Sequence, residues 1–299
     1  MGDLLDRRKY VNFNTLSQVK KRFFTPMHEA GIQVHCIPGN HDTYWKNTND
    51  LNSLRELFHD DLHLYETPTT VDFDGCSILF LPWVNRENSE ACEAALEASV
   101  APVLVGHLEL DGYEVMRGIN HNGGMSDNIL HKFDFVLSGH FHCRQYRGNV
   151  HYLGTQYDLN FSDVNERKGF HIFDTDTQKL EFIENPYKMY HKMFYNDTET
   201  DYRGIDCTLY KDSYLRIVVT GKRDEIGFQS LCEALVAAGV ANLSIVEEHA
   251  EEQTDGERID LSKGTVELIN ETIDSMEIQV DREKLKTVIR DLYTDSLSL

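Results

Sequence analysis

No two of the six cysteines, Cys36, Cys76, Cys92, Cys143, Cys207 and Cys232, stand in a C-x-x-C pair or at the spacing of a disulfide framework. That excludes a disulfide-stapled scaffold and fits ordinary thiols in a reducing compartment. No apolar run is long enough to span a bilayer, and the N-terminus lacks the charged, then apolar, then small pattern of a secretion signal. A soluble chain of the cytoplasm, with no membrane partner, is therefore expected. Positive charge is also scarce: 29 Lys and Arg against 50 Asp and Glu leave a formal charge of -21. Such a surface cannot bind phosphates everywhere, because neutralising them takes local Lys and Arg. A local patch remains open, since Arg7, Arg8 and Lys9, then Lys20, Lys21 and Arg22, gather near the N-terminus. A solvated helix face is the alternative reading of these six.

What the chain has is bulk: 299 residues, 40% of them hydrophobic, suffice for one large domain and a smaller one. Leu16, Val19, Phe23 and Met27 space an amphipathic helix between Asn14 as N-cap and Gly31 as stop, kinked by Pro26. Strands are expected at 32–37, 102–105 and 133–137, and a hairpin turning at Asp74-Gly75 joins TTVDF to CSILFLPW. Residues 87–99 read as helix, and NVHYLG, KGFHIFD and LEFIEN as further strands. The first domain is placed at 1–188 and a polar, Tyr-rich linker at 189–206. A small domain follows at 207–248, then an acidic linker at 249–261 and two C-terminal helices within 262–299.

Each apolar strand runs into a short Gly-containing loop carrying Asn, His or Asp, the position at which α/β scaffolds place ligands. In order the loops read Gly2-Asp3-x-x-Asp6, Gly39-Asn40-His41-Asp42, Gly106-His107 and Gly139-His140-Phe141-His142. Any one is most often only a turn; four in sequence point to a metal. Imidazoles with carboxylate and amide oxygens make a mixed N/O donor set, suited to Mn²⁺, Fe or Zn²⁺ rather than Ca²⁺. Two such ions roughly 3.5–4 Å apart can activate water and hold both oxygens of a phosphate ester.

The order and wording of these motifs resemble the calcineurin-like metallophosphoesterases, whose pattern is DxH, GDxxD, GNHD/E, GH and GHxH. The resemblance implies an α/β fold: a sandwich of two mixed β-sheets flanked by helices, with a small α+β capping domain at 207–248. It implies Asp3 as bridging carboxylate, Asn40, His107 and His140 completing one metal, and His142 on the other. His41 would protonate the leaving oxygen or stabilise the transition state, oriented by Asp42, and Asp6 would assist; a hydrogen-bonded loop histidine is the plain alternative for His41. The stretch YLGTQYDLNFSDVNERKGFHIFD is similar to the GSP-x-F-x-E-x-KGF segment of SbcD-like DNA repair nucleases, through Tyr152, Gly154, Thr155, Phe161, Lys168, Gly169 and Phe170. Asp163 stands where an acid is usual and Gln156 replaces the usual proline. PTTVDFDGCSILFLPW and VGHLELDGYEVMRG are similar to the bacteriophage recombination endonuclease subunits of that family.

The resemblance further implies two Mn²⁺ ions, with Mg²⁺ or another divalent metal possible, and exonuclease and endonuclease action on double-strand ends and single-stranded DNA. It implies a homodimer bound to an SMC-type ATPase through the C-terminal helices, where Leu285, Val288, Ile289 and Leu292 form an apolar stripe. Packing of that stripe on its own domain is the alternative. The DxH motif is absent ahead of Asp3, so roughly 50 missing N-terminal residues are expected by analogy with domain sizes, with one tight metal rather than two and little activity alone. Two other functions stay open: a phosphoesterase for a nucleotide or phosphoprotein, and a noncatalytic scaffold for the ATPase.

Overall fold

The computed structural model describes residues 1–247, 269–270, 272–274 and 282–297. Asn12 rather than Asn14 accepts the amide of Thr15 and starts α1 (Phe13–Val19), which passes through a wide turn at Lys20–Phe24 into α2 (Thr25–Glu29). Pro26 has no N–H to give, and the Thr25 amide reaches five residues back to the Lys20 carbonyl. The proline is thus absorbed by a wider turn. Of the expected strand 32–37 only β1 (His35–Cys36) pairs; helix α3 (Ser53–Phe58) separates it from its parallel partner β2 (His63–Leu64).

Next come β3 (Thr69–Phe73), β4 (Cys76–Leu81), α4 (Ser89–Ala98), β5 (Val103–Gly106), the small hairpin β6 (Glu114–Met116) and β7 (Ile119–Asn120), β8 (Phe135–Ser138), β9 (Gln145–Arg147) and β10 (Val150–Tyr152). The turn between β3 and β4 holds Asp74 and Gly75 at φ +53° and +90°, as the sequence predicts. Six of these strands form one mixed sheet in the order β3-β4-β5-β8-β10-β9, with β4, β5, β8 and β10 mutually parallel and the two outer strands antiparallel.

A parallel interior must be covered on both faces, and the side chains alternate accordingly. Leu79, Leu81, Leu104, Val136 and Val150 point to a core shared with Cys92 and Leu96 of α4. Ile78, Phe80, Val103 and Leu137 point the other way, onto Ile37, Phe173 and Leu180. The last two belong to the hairpin of β11 (Gly169–Asp174) and β12 (Lys179–Glu184). Among the described residues, the expected second mixed sheet is two separate strand pairs, β1–β2 and β11–β12. Because Leu104 has no exposed surface in the middle of the parallel sheet, Leu104→Ala is expected to lower stability by about 2–5 kcal/mol. Urea unfolding followed by circular dichroism measures it.

The chain divides into two compact units, 1–155 with 169–184, and 156–168 with the described residues from 185 to 296. Residues 156–168, expected in the first domain, belong to the second unit, and the expected linker 189–206 contains β13 (Tyr190–Asn196). Its polar residues hid a period of two in which Met193 and Tyr195 are buried. The strand lies parallel to β14 (Tyr214–Gly221), which crosses through α5 (Glu225–Ala237) to parallel β15 (Asn242–Glu247). Parallel pairing requires such a crossover, so this unit is α/β rather than the expected α+β. Met193, Tyr195, Leu215, Ile217 and Val219 pack on Phe228, Leu231 and Leu235 of α5. The expected acidic linker 249–261 lies outside the described residues; α6 (Arg282–Leu297) follows it. No described helix is long and apolar enough to cross a membrane.

Candidate metal centre

The registers Leu81↔Gly106 and Gly106↔Ser138 place three parallel strand ends side by side. Trp83, His107 and His140 leave those ends within two residues of each strand, so they emerge at one edge of the sheet. The Asp3 loop and the Gly39-Asn40 loop close on the same edge. The backbones meet so tightly that side chains are excluded: a Cβ on Gly39 would lie 2.2 Å from Asp3 Oδ1, and one on Gly139 would lie 2.7 Å from the Met1 carbonyl. This is why the motifs carry glycine. Asp3 and His140 adopt φ of +57° and +76°, a left-handed conformation that costs non-glycine residues on the order of 1–3 kcal/mol and collects at functional sites.

Four side chains converge. His107 Nε2 lies 3.2 Å from Asp3 Oδ2, and the Asn40 amide oxygen lies 2.9 Å from that nitrogen and 3.0 Å from His140 Nδ1. Among the described residues, Asp3, His107 and His140 are the only His, Cys, Asp or Glu trio whose ligand atoms all lie within 4.8 Å of one another. His107 Nδ1–H donates to the Met1 carbonyl at 2.8 Å, which leaves the lone pair on Nε2, facing Asp3. An imidazole lone pair and a carboxylate repel unless a proton or a cation lies between them.

The Asn40 amide answers to the same choice. Turned the other way, its nitrogen would donate to both rings and to Asp3 Oδ2, with its oxygen accepting from Arg8 at 3.2 Å. With the oxygen inward, the Asn40 oxygen lies 2.9–3.2 Å from the Asp3, His107 and His140 acceptor atoms, which lie within 4.8 Å of one another; neighbouring ligands about 2.1 Å from a small divalent ion are spaced about 3 Å apart. The donor set fits a metal.

Burial alone would raise the Asp3 carboxyl, yet His107 and His41 hold it well below the usual carboxylate range. Burial alone would lower His107, and the Asp3 charge outweighs it, lifting the ring above its ordinary 6.5. For His140, burial and the neighbouring His107 act together and push the ring well below that value. Without metal the environment therefore favours a carboxylate on Asp3, the protonated form of His107 and the neutral form of His140.

His41 and Asp42, expected to act as a pair, turn to different partners. Asp42, fully buried, does not orient the His41 ring: its carboxylate accepts the amides of Asp3 at 2.6 Å, Leu4 at 3.1 Å and Gly39 at 2.9 Å. It ties the two metal-facing loops together. Burial and the Asp3 charge lift it to about 6. The His41 ring is oriented instead by Asp6, whose backbone carbonyl accepts from Nδ1 at 2.6 Å, while the His41 amide donates to Asp3 Oδ1 at 2.7 Å. That leaves Nε2 as the ring nitrogen not engaged by Asp6. Asp6 thus meets His41 through its backbone and leaves its side chain exposed. His142 is exposed and outside the trio, though near enough for its charge to act on His140.

Sequence reasoning passed over Trp83, whose ring centroid lies 5.9 Å from that of His107 and 5.3 Å from that of His140. The available signal was its place at a strand end beside the two histidine loops.

No family model matches the chain. It is 31% identical over 303 residues to exonuclease subunit 1 of Enterobacteria phage T4, an alignment covering 99% of this chain and 86% of that protein. It is 21% identical over 214 residues to the SbcD subunit of the SbcCD nuclease of Staphylococcus epidermidis, covering 60% of this chain and 55% of that one.

Proposed function

The chain belongs to the SbcD-like nuclease subunit family that includes phage T4 exonuclease subunit 1, and on that premise we propose that it hydrolyses DNA phosphodiesters at a divalent-metal centre. The observation that carries this reading is the convergence of Asp3, Asn40, His107 and His140 at one sheet edge. A bound ion, Mn²⁺ or Mg²⁺, would supply Lewis acidity to the phosphate and acidify a water. Asp3 and the two imidazoles would hold it through Oδ2, Nε2 of His107 and Nδ1 of His140. His41 would hand a proton from Nε2 to the leaving oxygen, kept in place by Asp6. Asp42 is a positioning residue. Among the described residues the donors complete one ion's set, while a second would have Asp3 and His142.

On this reading the pairs β1–β2 and β11–β12 form the second layer of a metallophosphoesterase sandwich, since Ile37, Phe173 and Leu180 meet in one core. The second unit acts as the cap over DNA. The stripe on α6 is the ATPase-docking face: Leu285 and Ile289 are half-buried, while Val288 stays 54% exposed. Leu292 lies outside the residues whose side chains are described. The protein works as one of two copies in a cytoplasmic complex, in the host cell for a phage-encoded chain.

Incubation with Mn²⁺ and either linear duplex DNA or p-nitrophenyl phosphate separates this reading from a phosphomonoesterase. Metal-dependent cleavage of DNA alone is expected; turnover of the monoester alone would overturn the proposal.

Proton competition gives a second check. Asp3 is already ionised and His140 already neutral above pH 6.5, so among the ligands His107 alone must lose a proton. Its raised pKa stabilises the metal-free fold below 6.5, and that contribution is lost as pH rises through the folded pKa. Mn²⁺ affinity is therefore expected to climb with pH above 6.5, with a logarithmic slope of about one, and to level off beyond the His107 pKa. Calorimetric titration in buffers of different ionisation enthalpy counts that proton.

A further inference from the structure

Beside the metal-facing edge lies a cavity of about 170 Å³ lined by Trp83, Val84, Leu108, Glu109, Gly124 and Met125. It adjoins the histidines through two residues. Trp83 packs against the rings of both His107 and His140, and Leu108 directly follows His107. The floor is fixed by backbone: Met125 N–H donates to the Glu109 carbonyl at 2.9 Å, and a Cβ on Gly124 would lie 2.4 Å from that same oxygen. Its walls are mostly apolar, with two polar groups. The buried Trp83 indole N–H has no partner among the described residues. The Glu109 carboxylate lies 2.9 Å from His121 Nε2, which makes no hydrogen bond there, and so is open to another donor.

An unpaired buried donor carries a cost, which a ligand that accepts from it would remove. A flat ring suits the walls: an apolar cavity of about 150 Å³ takes up benzene. A carbonyl oxygen or ring nitrogen can accept from an indole N–H, and an exocyclic amine or ring N–H can donate to a carboxylate, so a small heterocycle carrying both kinds of group fits.

We propose that this cavity is a base-binding subsite, which receives the unstacked pyrimidine of the nucleotide being cleaved and so sets it against the metal-facing edge. The ring lies against Trp83, Leu108 and Met125, its carbonyl accepts from Trp83 Nε1, and an exocyclic amine donates to Glu109. Cytosine supplies both groups. Stacking on aromatic side chains is the general means of holding an unpaired base. The inference rests on the nuclease reading for its substrate class and on the cavity for its specificity.

The test is made without metal, so that it stands apart from catalysis. In a Trp45→Phe background Trp83 is the sole indole, because the chain has two tryptophans, and its fluorescence reports binding of dCMP, dAMP or deoxyribose 5-phosphate. dCMP is expected to bind at least tenfold more tightly than the other two. Met125→Phe, which fills the cavity, is expected to bring the three within twofold while leaving Mn²⁺ affinity and the circular dichroism spectrum unchanged. Val84→Phe serves the same purpose should Met125→Phe fail to fold. Equal binding of dCMP and deoxyribose 5-phosphate, dAMP matching dCMP, or a preference that survives the filled cavity would overturn the proposal. Absence of DNA cleavage in the Mn²⁺ assay would instead count against the nuclease reading and leave dCMP binding as the deciding result here.

Discussion

Asp3→Asn is expected to abolish Mn²⁺-dependent DNA cleavage and to weaken Mn²⁺ binding by at least about 100-fold, beyond the 10–100-fold typical of an outer partner of a metal ligand. The argument is one of charge rather than shape. Asparagine keeps an oxygen for the His41 amide, now 2.7 Å from Asp3 Oδ1, and it tolerates the left-handed backbone as well as aspartate does. What is lost is the only carboxylate of the trio, whose charge is held on Asp3 well below the usual carboxylate range. The same charge raises the His107 pKa in the metal-free chain, so the substitution should also let that ring titrate at lower pH. Nuclear magnetic resonance titration of the His107 ring, alongside a Mn²⁺ titration, reads both effects. Binding and cleavage within a few-fold of the parent would remove Asp3 from the metal centre.

Gly39→Ala is expected to cut DNA cleavage on the order of 100-fold, the effect of a 1 Å misplacement in a site that depends on positioning. The new Cβ would fall 2.2 Å from Asp3 Oδ1, 2.6 Å from Asp3 N and 2.8 Å from Asp3 Cγ. None of these is the loose end of a flexible side chain. Either the Asp3 loop backs away and its bond to Asp42 breaks, or the Asn40 loop moves and takes the amide oxygen with it. Overpacking of this kind costs about 1–3 kcal/mol, so a fall in melting temperature should accompany the lost activity. By contrast Gly31 and Gly75, whose added Cβ atoms meet nothing within 4 Å, should affect stability only through their positive φ. Full cleavage by Gly39→Ala would show that the two loops need not touch.

Much of the candidate site was legible because each donor stands next to a glycine, and three of them lie shortly after an apolar strand. That arrangement exists for a physical reason which leaves a mark in the text: loops that must bring side chains to one point also bring their backbones into contact, and only glycine fits between. The convergence of Asp3, Asn40, His107 and His140 was read this way. Asp42 was named but misassigned, because adjacency to His41 says nothing about which way a buried carboxylate turns, and here it turns to three amides. The supports from Met1 and Asp6 were invisible, since a backbone carbonyl has no residue identity to read.

The central parallel strands were equally plain as short apolar runs, and the Asp74-Gly75 turn declared itself. The unit boundaries did not. β13 mixes Lys192 and Asn196 with its buried Met193 and Tyr195, and residues 156–168 belong with the second unit although the chain returns to the first for β11 and β12. A chain that crosses between units at 155/156, 168/169 and 184/185 leaves no compositional break at the crossings. Pairing was harder still: β1 reads as six residues of strand, but only two find a partner.

The most direct test of the account asks which atoms hold the ion. One equivalent of Mn²⁺ added to the chain, carrying ¹⁵N-labelled histidine, can be examined by pulsed electron paramagnetic resonance. The account predicts coupling to two directly bonded imidazole nitrogens, reduced to one in either His107→Ala or His140→Ala. A bound Mn²⁺ with no nitrogen in its coordination sphere, or a spectrum unchanged by both substitutions, would contradict it.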